Sequence, residues 1–300
     1  MAQINIMALR HSAFYSPLLT AMAAGFLRDE GLEPVYSLAT PEHGVPHSLR
    51  SGECHVAQSA VATSFAALEQ GNADNLVHFA QINGRDGFFI AAREPDDHFS
   101  WDKLKGRKVL VDHFFQPLAM LKYGLQKQAV SFDMLDVIDA GDVKAMDEAF
   151  RKGEGDYIHQ QGPAPQQLQH DGIGHVVASV GSAVGPVAFS SLCCSREWLT
   201  SEMAQGFMRA YRKSLDYVVH APAADVAACL YEAGFFPAVG LSVLTDTIQA
   251  YQHLGCWQLD PCISTSSYKS LLDVFMFSQH ISRRHPYDAV IDTSLCRSVP

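Results

Sequence analysis

The side chains best suited to bind or transform a small molecule in this 300-residue sequence lie in short loops that follow apolar, strand-like segments. The first loop follows residues 4–9 and carries four of them: His11, Ser12, Phe14 and Tyr15. Because ligands bind at the carboxyl ends of strands in open α/β sheets, we predict that these four side chains contact a ligand. The alternative is that His11 is a turn residue in solvent and that the two aromatic rings only pack the core.

A second loop repeats this design after residues 109–111. Its side chains include Asp112, His113, Phe115 and Gln116, and it precedes Pro117, a residue that favours the first turn of a helix. We predict that this loop contacts a ligand in the same cleft, mainly through hydrogen bonds. His113 and His11 are also candidates for an acid or a base, although neither has an activating partner nearby in the sequence.

Three further segments complete the predicted site. Ser59 and Thr63 straddle the end of a third strand-like segment, where hydroxyls either hold a polar group or cap a helix. Gln160 and Gln161 end another such segment, and their uncharged amides suit a polar or aromatic ligand. Arg85 is flanked by two glycines and could clamp a carboxylate, sulfinate or phosphate with two hydrogen bonds, which also makes it a catalytic candidate. Its alternative role is a structural salt bridge.

The composition excludes several classes of protein. With 48% hydrophobic and 18% charged residues, the chain is long enough for two compact domains and too apolar to remain disordered. A net charge of -10 provides no basic surface for nucleic acid or for an anionic membrane. No apolar run reaches the roughly 20 residues that a membrane span needs. We therefore expect neither a nucleic-acid partner nor membrane insertion.

The cysteines and the first residues bear on the cellular compartment. Seven cysteines, an odd number, occur without a CxxC pair or the dense spacing of a disulfide framework. We predict reduced, buried cysteines, no metal site and no cofactor. The first residues lack the basic region, apolar core and cleavage site of a secretory signal. The sequence as written is expected in the cytoplasm, or in the periplasm if a leader was removed.

The periodicity of apolar residues predicts an α/β protein with two lobes. Strand-like segments occupy residues 4–9, 33–39, 55–58, 77–82, 88–92, 109–111, 136–138, 157–159, 176–180 and 187–193. Helical spacing follows most of them and predominates after residue 197. We predict a mixed, mostly parallel sheet flanked by helices in each lobe, and a helical C-terminal part. Residues 1–88 plus 192–300 are expected to form lobe I, and residues 89–191 lobe II.

Several segments match a known group of proteins. Residues 15–18 read Tyr-Ser-Pro-Leu, residues 25–33 read Gly-Phe-Leu-Arg-Asp-Glu-Gly-Leu-Glu, and residues 51–57 and 102–109 continue the pattern. Over about residues 4–225 the sequence resembles the solute-binding superfamily of nitrate, alkanesulfonate and thiamine-precursor binders. The resemblance implies the type II periplasmic-binding-protein fold, with a ligand held between the lobes. It also implies an ABC transporter permease as a partner, for a protein that is a monomer or a homodimer.

Enzymes of the same fold provide the alternative function. Fungal thiamine-pyrimidine synthases carry a lysine and a histidine after the third strand, where residues 58–63 contain neither. Aryl-sulfinate desulfinases use a first-loop cysteine where this sequence has Ser12, although residues 84–89 resemble the segment with their arginine. The leading prediction is reversible capture of a polar or anionic organic solute, aromatic or not. The alternative is a cytosolic lyase or hydrolase that uses His11, His113 or Arg85.

Overall fold

The computed structural model describes residues 1–72 and 75–299. Its strands are β1 (Ala2–Ala8), β2 (Leu32–Leu38), β3 (Val56–Ser59), β4 (Leu76–Asn83), β5 (Phe88–Ala92), β6 (Lys108–Val111), β7 (Asp136–Ile138), β8 (Tyr157–Gln161), β9 (His175–Ser179) and β10 (Ser190–Ser195). These bounds lie within a few residues of the predicted ones. The segment predicted as one helix over residues 62–70 is a 3-10 turn followed by a short α-helix.

The helices precede, separate and follow these strands. They are α1 (Ser16–Ala23), α2 (Phe26–Asp29), α3 (Val45–Ser51), α4 (Phe65–Glu69), α5 (Phe115–Lys127), α6 (Val143–Arg151), α7 (Ala164–His170), α8 (Val180–Val184), α9 (Glu202–His220), α10 (Ala223–Glu232), α11 (Leu241–Leu254), α12 (Thr265–Phe277), α13 (Tyr287–Val290) and α14 (Ser294–Ser298). In the described part of the chain after residue 197, the α-helices are α9 to α14 and no strand occurs, so the C-terminal part is helical as predicted.

The strands form two five-stranded sheets, which confirms the predicted α/β architecture. The order is β2-β1-β3-β10-β4 in the first sheet and β7-β6-β8-β5-β9 in the second. β1 pairs in parallel with β2 and β3, and β6 pairs in parallel with β7 and β8. β10 runs antiparallel in the first sheet and β5 in the second. Both sheets are thus mixed, and the carboxyl ends of β1, β6 and β8 are available to one cleft.

Two short crossings join the sheets, residues 84–87 and 185–189. The amide of Val187 donates to the carbonyl of Gly84 (2.9 Å), and the amide of Phe189 donates to that of Asn83 (3.2 Å). Because these hydrogen bonds pair the crossings with each other, β10 begins at Ser190 and not at residue 187. Phe88 is the first residue of β5 in the second sheet, and the division into residues 1–88 plus 192–300 and residues 89–191 stays a prediction.

The edge of the first sheet at β4 is covered by the C-terminal segment. Every residue of β4 is buried. His78 forms an isolated parallel bridge with Ile291, and its carbonyl accepts a hydrogen bond from the amide of Asp292 (3.1 Å). An open strand edge would offer unpaired backbone groups to other chains, so this pairing protects the sheet.

One cysteine pair departs from the prediction of reduced cysteines. Cys262 and Cys296 form a disulfide, with their Cα atoms 5.8 Å apart. They are 34 positions apart in the sequence, and only the return of the C-terminal segment along β4 brings them together, so their spacing gave no sign of the pair. Cys54, Cys194 and Cys256 are buried free thiols, Cys193 is buried, and Cys229 is half-buried.

Candidate functional site

A cavity of about 430 Å³ lies between the two sheets. The carboxyl ends of β1, β6 and β8, helices α6 and α7, and the α10–α11 connection form its walls. Its lining residues are Arg10, His11, Ser12, Asp112, Val143, Met146, Asp147, Arg151, His159, Gln160, Gln161, Gly162, Pro163, Ala164, Gln167, Ala238 and Val239. The volume is in the range typical of small-molecule sites.

The end of β8 places two buried polar side chains at this cavity. His159 is fully buried and its ring packs against that of Phe88, with centroids 4.7 Å apart. Among the residues that the structure describes, neither ring nitrogen of His159 and neither polar atom of the Gln160 amide has a hydrogen-bond partner. Buried polar atoms are normally paired, so these four atoms are exceptions within the described chain.

His159 is uncharged near neutral pH. Burial lowers the pKa of its imidazole to about 4, and the opposing attraction of nearby Asp112 does not offset this effect. A neutral imidazole has one N–H donor and one nitrogen acceptor. His159 therefore contributes hydrogen bonding without charge.

An ion pair crosses the cleft from Arg10, after β1, to Asp112, after β6. Both terminal guanidinium nitrogens of Arg10 lie 3.2 Å from one carboxylate oxygen of Asp112. The guanidinium carbon also lies 4.5 Å from the ring centroid of Phe114. The other Asp112 oxygen accepts from the amide of Phe114 (2.8 Å). Both partners are therefore held in place from two sides.

Further hydrogen bonds join the lobes at the backbone of Gly162. The hydroxyl of Ser12 donates to the Gly162 carbonyl (2.8 Å), and the hydroxyl of Tyr251 approaches the same oxygen (3.5 Å). Tyr251 also donates to the carbonyl of Gly87 in the first crossing (3.1 Å). These contacts, together with the Arg10–Asp112 pair, connect the two lobes across the cavity.

A second arginine lines the cavity on the α6 side. Arg151 donates from Nε to Asp147 (2.5 Å) and from Nη1 to Asp171 (2.8 Å). The hydrogen bond with Asp147 contributes most to raising the pKa of Arg151. Each of the two cavity arginines is therefore paired with at least one carboxylate.

His11 connects the cavity wall to the α10–α11 connection, which we call the 234–240 loop. Its Nε2 lies 2.7 Å from the carbonyl of Phe235 and its Nδ1 lies 2.9 Å from the hydroxyl of Tyr36. A carbonyl only accepts, so Nε2 donates and Nδ1 accepts from Tyr36. The same loop brings Ala238 and Val239 to the cavity. The ring nitrogens of His11 thus position a wall of the site.

A family model described as NMT1/THI5 like matches residues 13–225. The chain belongs to the NMT1/THI5-like family. The match covers most of the range over which the sequence resembles solute-binding proteins, and it confirms that resemblance.

Relatives of this NMT1/THI5-like chain agree on the fold. It is 26% identical to "Putative binding protein YtlA" of Bacillus subtilis (strain 168), over all of this chain and 90% of that protein. The ligand-binding component of an ABC-type import system from Staphylococcus aureus with zinc bound has a TM-score of 0.76, at 14% identity over 100% of this chain and 99% of that one. The periplasmic aliphatic sulphonate binding protein SsuA from Escherichia coli has a TM-score of 0.72, at 15% identity over 97% and 92%. These likenesses confirm the predicted periplasmic-binding-protein fold.

The structure brings together about half of the predicted site residues. His11, Ser12, Asp112, Gln160 and Gln161 line the cavity of this NMT1/THI5-like protein. Tyr15 and Gln116 line a much smaller recess of about 40 Å³ that adjoins it, where Arg10 and Gln161 line both spaces. Gln116 donates to the carbonyl of Phe189 (2.7 Å) and so ties α5 to the second crossing.

The remaining predicted residues lie elsewhere. Phe14 is fully buried in the core, where its ring packs against Phe189 and Tyr251. Arg85 donates to the carbonyl of Gly181 (3.4 Å) at the first crossing, outside the lining. His113 lies 2.8 Å from the carbonyl of Val111, and Phe115 packs against Phe275 and His280. Ser59 and Thr63 line a separate cavity beside β3, with their hydroxyls 3.2 Å apart.

Sequence reasoning missed several residues of the site. Arg10 directly precedes the predicted first loop, and His159 directly precedes the predicted glutamine pair, so a wider window around each loop would have included both. Asp147, Arg151 and Val239 come from helices and a distant loop, for which the sequence carries no local signal. Within residues 1–72 and 75–299, no group of three or more His, Cys, Asp or Glu side chains is arranged to hold a metal ion. In that same part of the chain, no helix is long and apolar enough to cross a membrane.

Replacing His11 with alanine is expected to loosen the 234–240 loop. The variant loses both hydrogen bonds of the ring, each contributing about 1 kcal/mol, so exchange of the Val239 amide hydrogen, which donates to the carbonyl of Phe236 in the wild type, should accelerate about thirtyfold. Hydrogen exchange followed by mass spectrometry measures this. His98→Ala, at an exposed histidine, is the control. Equal exchange of this loop in the two variants would contradict the positioning role of His11.

Proposed function

We propose that this protein is a solute-binding protein that captures a small polar organic molecule between its lobes for an ABC transporter permease. The observation that carries the proposal is the cavity of about 430 Å³ between the two sheets, whose lining combines residues 10–12 of one lobe with Asp112 and residues 159–164 of the other. A ligand enclosed there is surrounded by both lobes and so favours the closed form.

Capture proceeds by closure of the lobes, which we propose to meet at residues 84–87 and 185–189. Arg10 and Ser12 in one lobe contact Asp112 and Gly162 in the other. A ligand in the cavity touches residues of both lobes and therefore binds the closed form better than the open one. That difference in affinity is what drives a hinge movement.

Capture without conversion is the function favoured by the placement of the catalytic candidates. Both ring nitrogens of His11 are engaged by Tyr36 and Phe235. His113 and Arg85 lie outside the lining of the cavity. A general base must reach the proton that it removes, and these side chains are not arranged to do so.

We also propose that the protein works outside the cytoplasm. The disulfide between Cys262 and Cys296 supports this, since disulfides persist in oxidising compartments. The likeness to a periplasmic sulphonate-binding protein supports it as well. This proposal replaces the expectation of a cytoplasmic protein with reduced cysteines, which depended on cysteine spacing and on the first residues of the sequence.

Native mass spectrometry of protein purified from its own cells without reductant tests the function and the compartment together. We expect the wild type to carry one unmodified small molecule, and the chain mass to be lower by two hydrogens because of the disulfide. Gln161→Ala, at a half-buried position on the cavity wall, should lose the ligand, with affinity lowered about tenfold or more, while His170→Ala, on the outer end of α7, should keep it. Release of a chemically altered form of an added ligand would overturn capture in favour of catalysis.

A further inference from the structure

We propose that the interlobe cavity selects a small organic cation, an ammonium or amidinium group on an apolar body, and that Asp147 on α6 receives its charge. This inference depends on the proposed function and specifies its ligand class. It keeps the expectation of a polar solute and replaces that of an anion held by Arg85. Three features carry it: the balance of charges around the cavity, an accessible oxygen of Asp147 and the apolar residues beside that oxygen.

The positive charge on the β1 side of the cavity is already balanced. Both terminal nitrogens of Arg10 share one oxygen of Asp112, at 3.2 Å each, and the side chain of Asp112 is only 7% exposed. An anion that bound Arg10 would have to displace this largely buried carboxylate, which would then lose its counterion. The β1 side therefore offers an anion no free cation.

The α6 side of the cavity carries an excess of negative charge. Arg151 donates from Nε to Asp147 (2.5 Å) and from Nη1 to Asp171 (2.8 Å), so one guanidinium is shared by two carboxylates. Of these two carboxylates, Asp147 belongs to the lining of the cavity and Asp171 lies behind Arg151, outside the lining. A cation in the cavity is therefore attracted to the α6 side, and an anion is repelled.

The other titratable side chains near the cavity do not offset this excess. His11 accepts a hydrogen bond at Nδ1 and donates from Nε2, so its ring is uncharged. Burial lowers the pKa of His159 to about 4, which leaves that ring neutral as well. Lys144 and Lys152 of α6 are exposed and lie close to Glu148, outside the lining, where water and salt screen their charges.

Asp147 has an oxygen that a solute can reach. Arg151 contacts Oδ2 of Asp147, whereas Oδ1 has no hydrogen-bond partner among the residues that the structure describes. The side chain of Asp147 is 25% exposed and lines the cavity, so this oxygen is not sealed inside the protein. A carboxylate oxygen forms its strongest hydrogen bonds with positively charged N–H donors. An ammonium or amidinium group provides such donors.

The surroundings of Asp147 suit an apolar body next to that charge. On α6, Val143 and Met146 lie one turn and one residue before Asp147, and both line the cavity. Apolar residues from α7 and from the 234–240 loop line it as well: Ala164 and Val239. A solute with one cationic end can therefore place its charge at Asp147 and its apolar part against these side chains.

Three probes of nearly the same shape and different charge test this inference: benzamidine, benzamide and benzoate. Each is titrated calorimetrically at pH 7.5 into the full-length protein, freed of its co-purified molecule by dialysis. For the wild type we expect cationic benzamidine to bind about tenfold more tightly than neutral benzamide, and anionic benzoate to bind most weakly. Asp147→Asn should weaken benzamidine about tenfold, to the level of benzamide, and should hardly change the affinity for benzamide.

Two further variants make the result specific. Glu148→Gln removes the same charge from the next residue of α6, which is exposed and outside the lining, and should leave all three affinities unchanged. Arg151→Gln removes the cation beside Asp147 and should strengthen the binding of benzamidine about threefold or more. This opposite shift tests the inference even if Asp147→Asn proves unstable.

The outcomes separate this inference from the proposed function. A wild-type preference for benzoate, or an equal loss of benzamidine binding in Asp147→Asn and Glu148→Gln, would overturn the inference and leave capture intact. Failure of benzamidine to bind at about 10 mM would also reject this ligand class. The mass of the co-purified molecule, and whether an added ligand is released unaltered, decide the proposed function separately.

Discussion

Replacing Asp86 with asparagine is expected to raise the melting temperature at pH 7.5 by about 6 °C and to change it little at pH 4. Asp86 lies in the first crossing and is fully buried. Its Oδ1 accepts from the amide of Phe88 (2.7 Å), and its Oδ2 has no partner in the chain described by the structure. Burial raises the pKa of Asp86 to about 8, despite the opposing hydrogen bond from Phe88.

The direction of this effect follows from proton binding. Between the ordinary pKa of 3.8 and the folded value of about 8, the unfolded chain has released the proton while the folded chain retains it. The free energy of unfolding therefore falls by about 3 kcal/mol as pH rises through this interval. Asparagine has the shape of the protonated acid and keeps the Oδ1 acceptor. Asp86→Asn therefore avoids this loss of stability at higher pH. We expect the benefit to disappear below pH 4.

Thermal melts of wild type and Asp86→Asn from pH 4 to pH 8 measure this difference. Asp133→Asn removes a carboxylate at an exposed position and should produce no such trend. If Asp86→Asn lowered the melting temperature equally at every pH, the carboxyl would have to be ionised and stabilised in the folded protein. That result would reject a protonated Asp86.

Gly181→Ala is expected to destabilise the protein by about 3 kcal/mol or more. A Cβ atom on Gly181 in α8 would lie 2.2 Å from the backbone oxygen of Asp86. The backbone of this first crossing is hydrogen-bonded to the second crossing, so moving it away from the new Cβ costs free energy. Either α8 or the crossing must shift. Chemical unfolding in urea measures the loss as a lower midpoint.

Gly206→Ala in α9 is the matched control for this steric effect. Its added Cβ would have its nearest neighbour, the Cβ of Glu30, at 3.6 Å, which is ordinary contact. Alanine is a better helix former than glycine, so we expect stabilisation by about 0.5–1 kcal/mol. A similar loss in both variants would indicate a general cost of alanine and would contradict the close approach at Gly181.

The succession of strands and helices along the chain was predictable because it depends on local periodicity, and the segment 88–92 coincides with β5. The order of the strands within each sheet was not predicted, because it depends on which distant segments pair. The disulfide and the 234–240 loop depend on contacts between distant parts of the chain. No local pattern encodes such contacts, so the sequence alone predicted neither.

The same distinction between local pattern and distant contacts applies to the residues of the site. Loop position correctly brought Ser12 and Asp112 to the cavity. Phe14 lies in the core instead, because Gly87 leaves room for its ring: a Cβ on Gly87 would lie 2.4 Å from it. Arg85 had the chemistry of an anion clamp, but its place at the crossing directs it to the carbonyl of Gly181. Residue type thus indicated which roles these side chains could have, whereas packing in the folded chain determined where they lie.

The carbonyl of Gly162 separates the ease of lobe closure from the contacts made with a solute, two properties that are often linked in a binding protein. It receives the interlobe hydrogen bond of Ser12 and the approach of Tyr251, yet it belongs to the backbone. Substitutions in its own lobe cannot remove it, whereas a change at either hydroxyl alters how readily the lobes close. Tyr251 lies outside the lining of the cavity, whereas Ser12 belongs to it. We therefore expect a change at Tyr251 to alter lobe closure, and with it residence time, while the side chains that line the cavity stay the same.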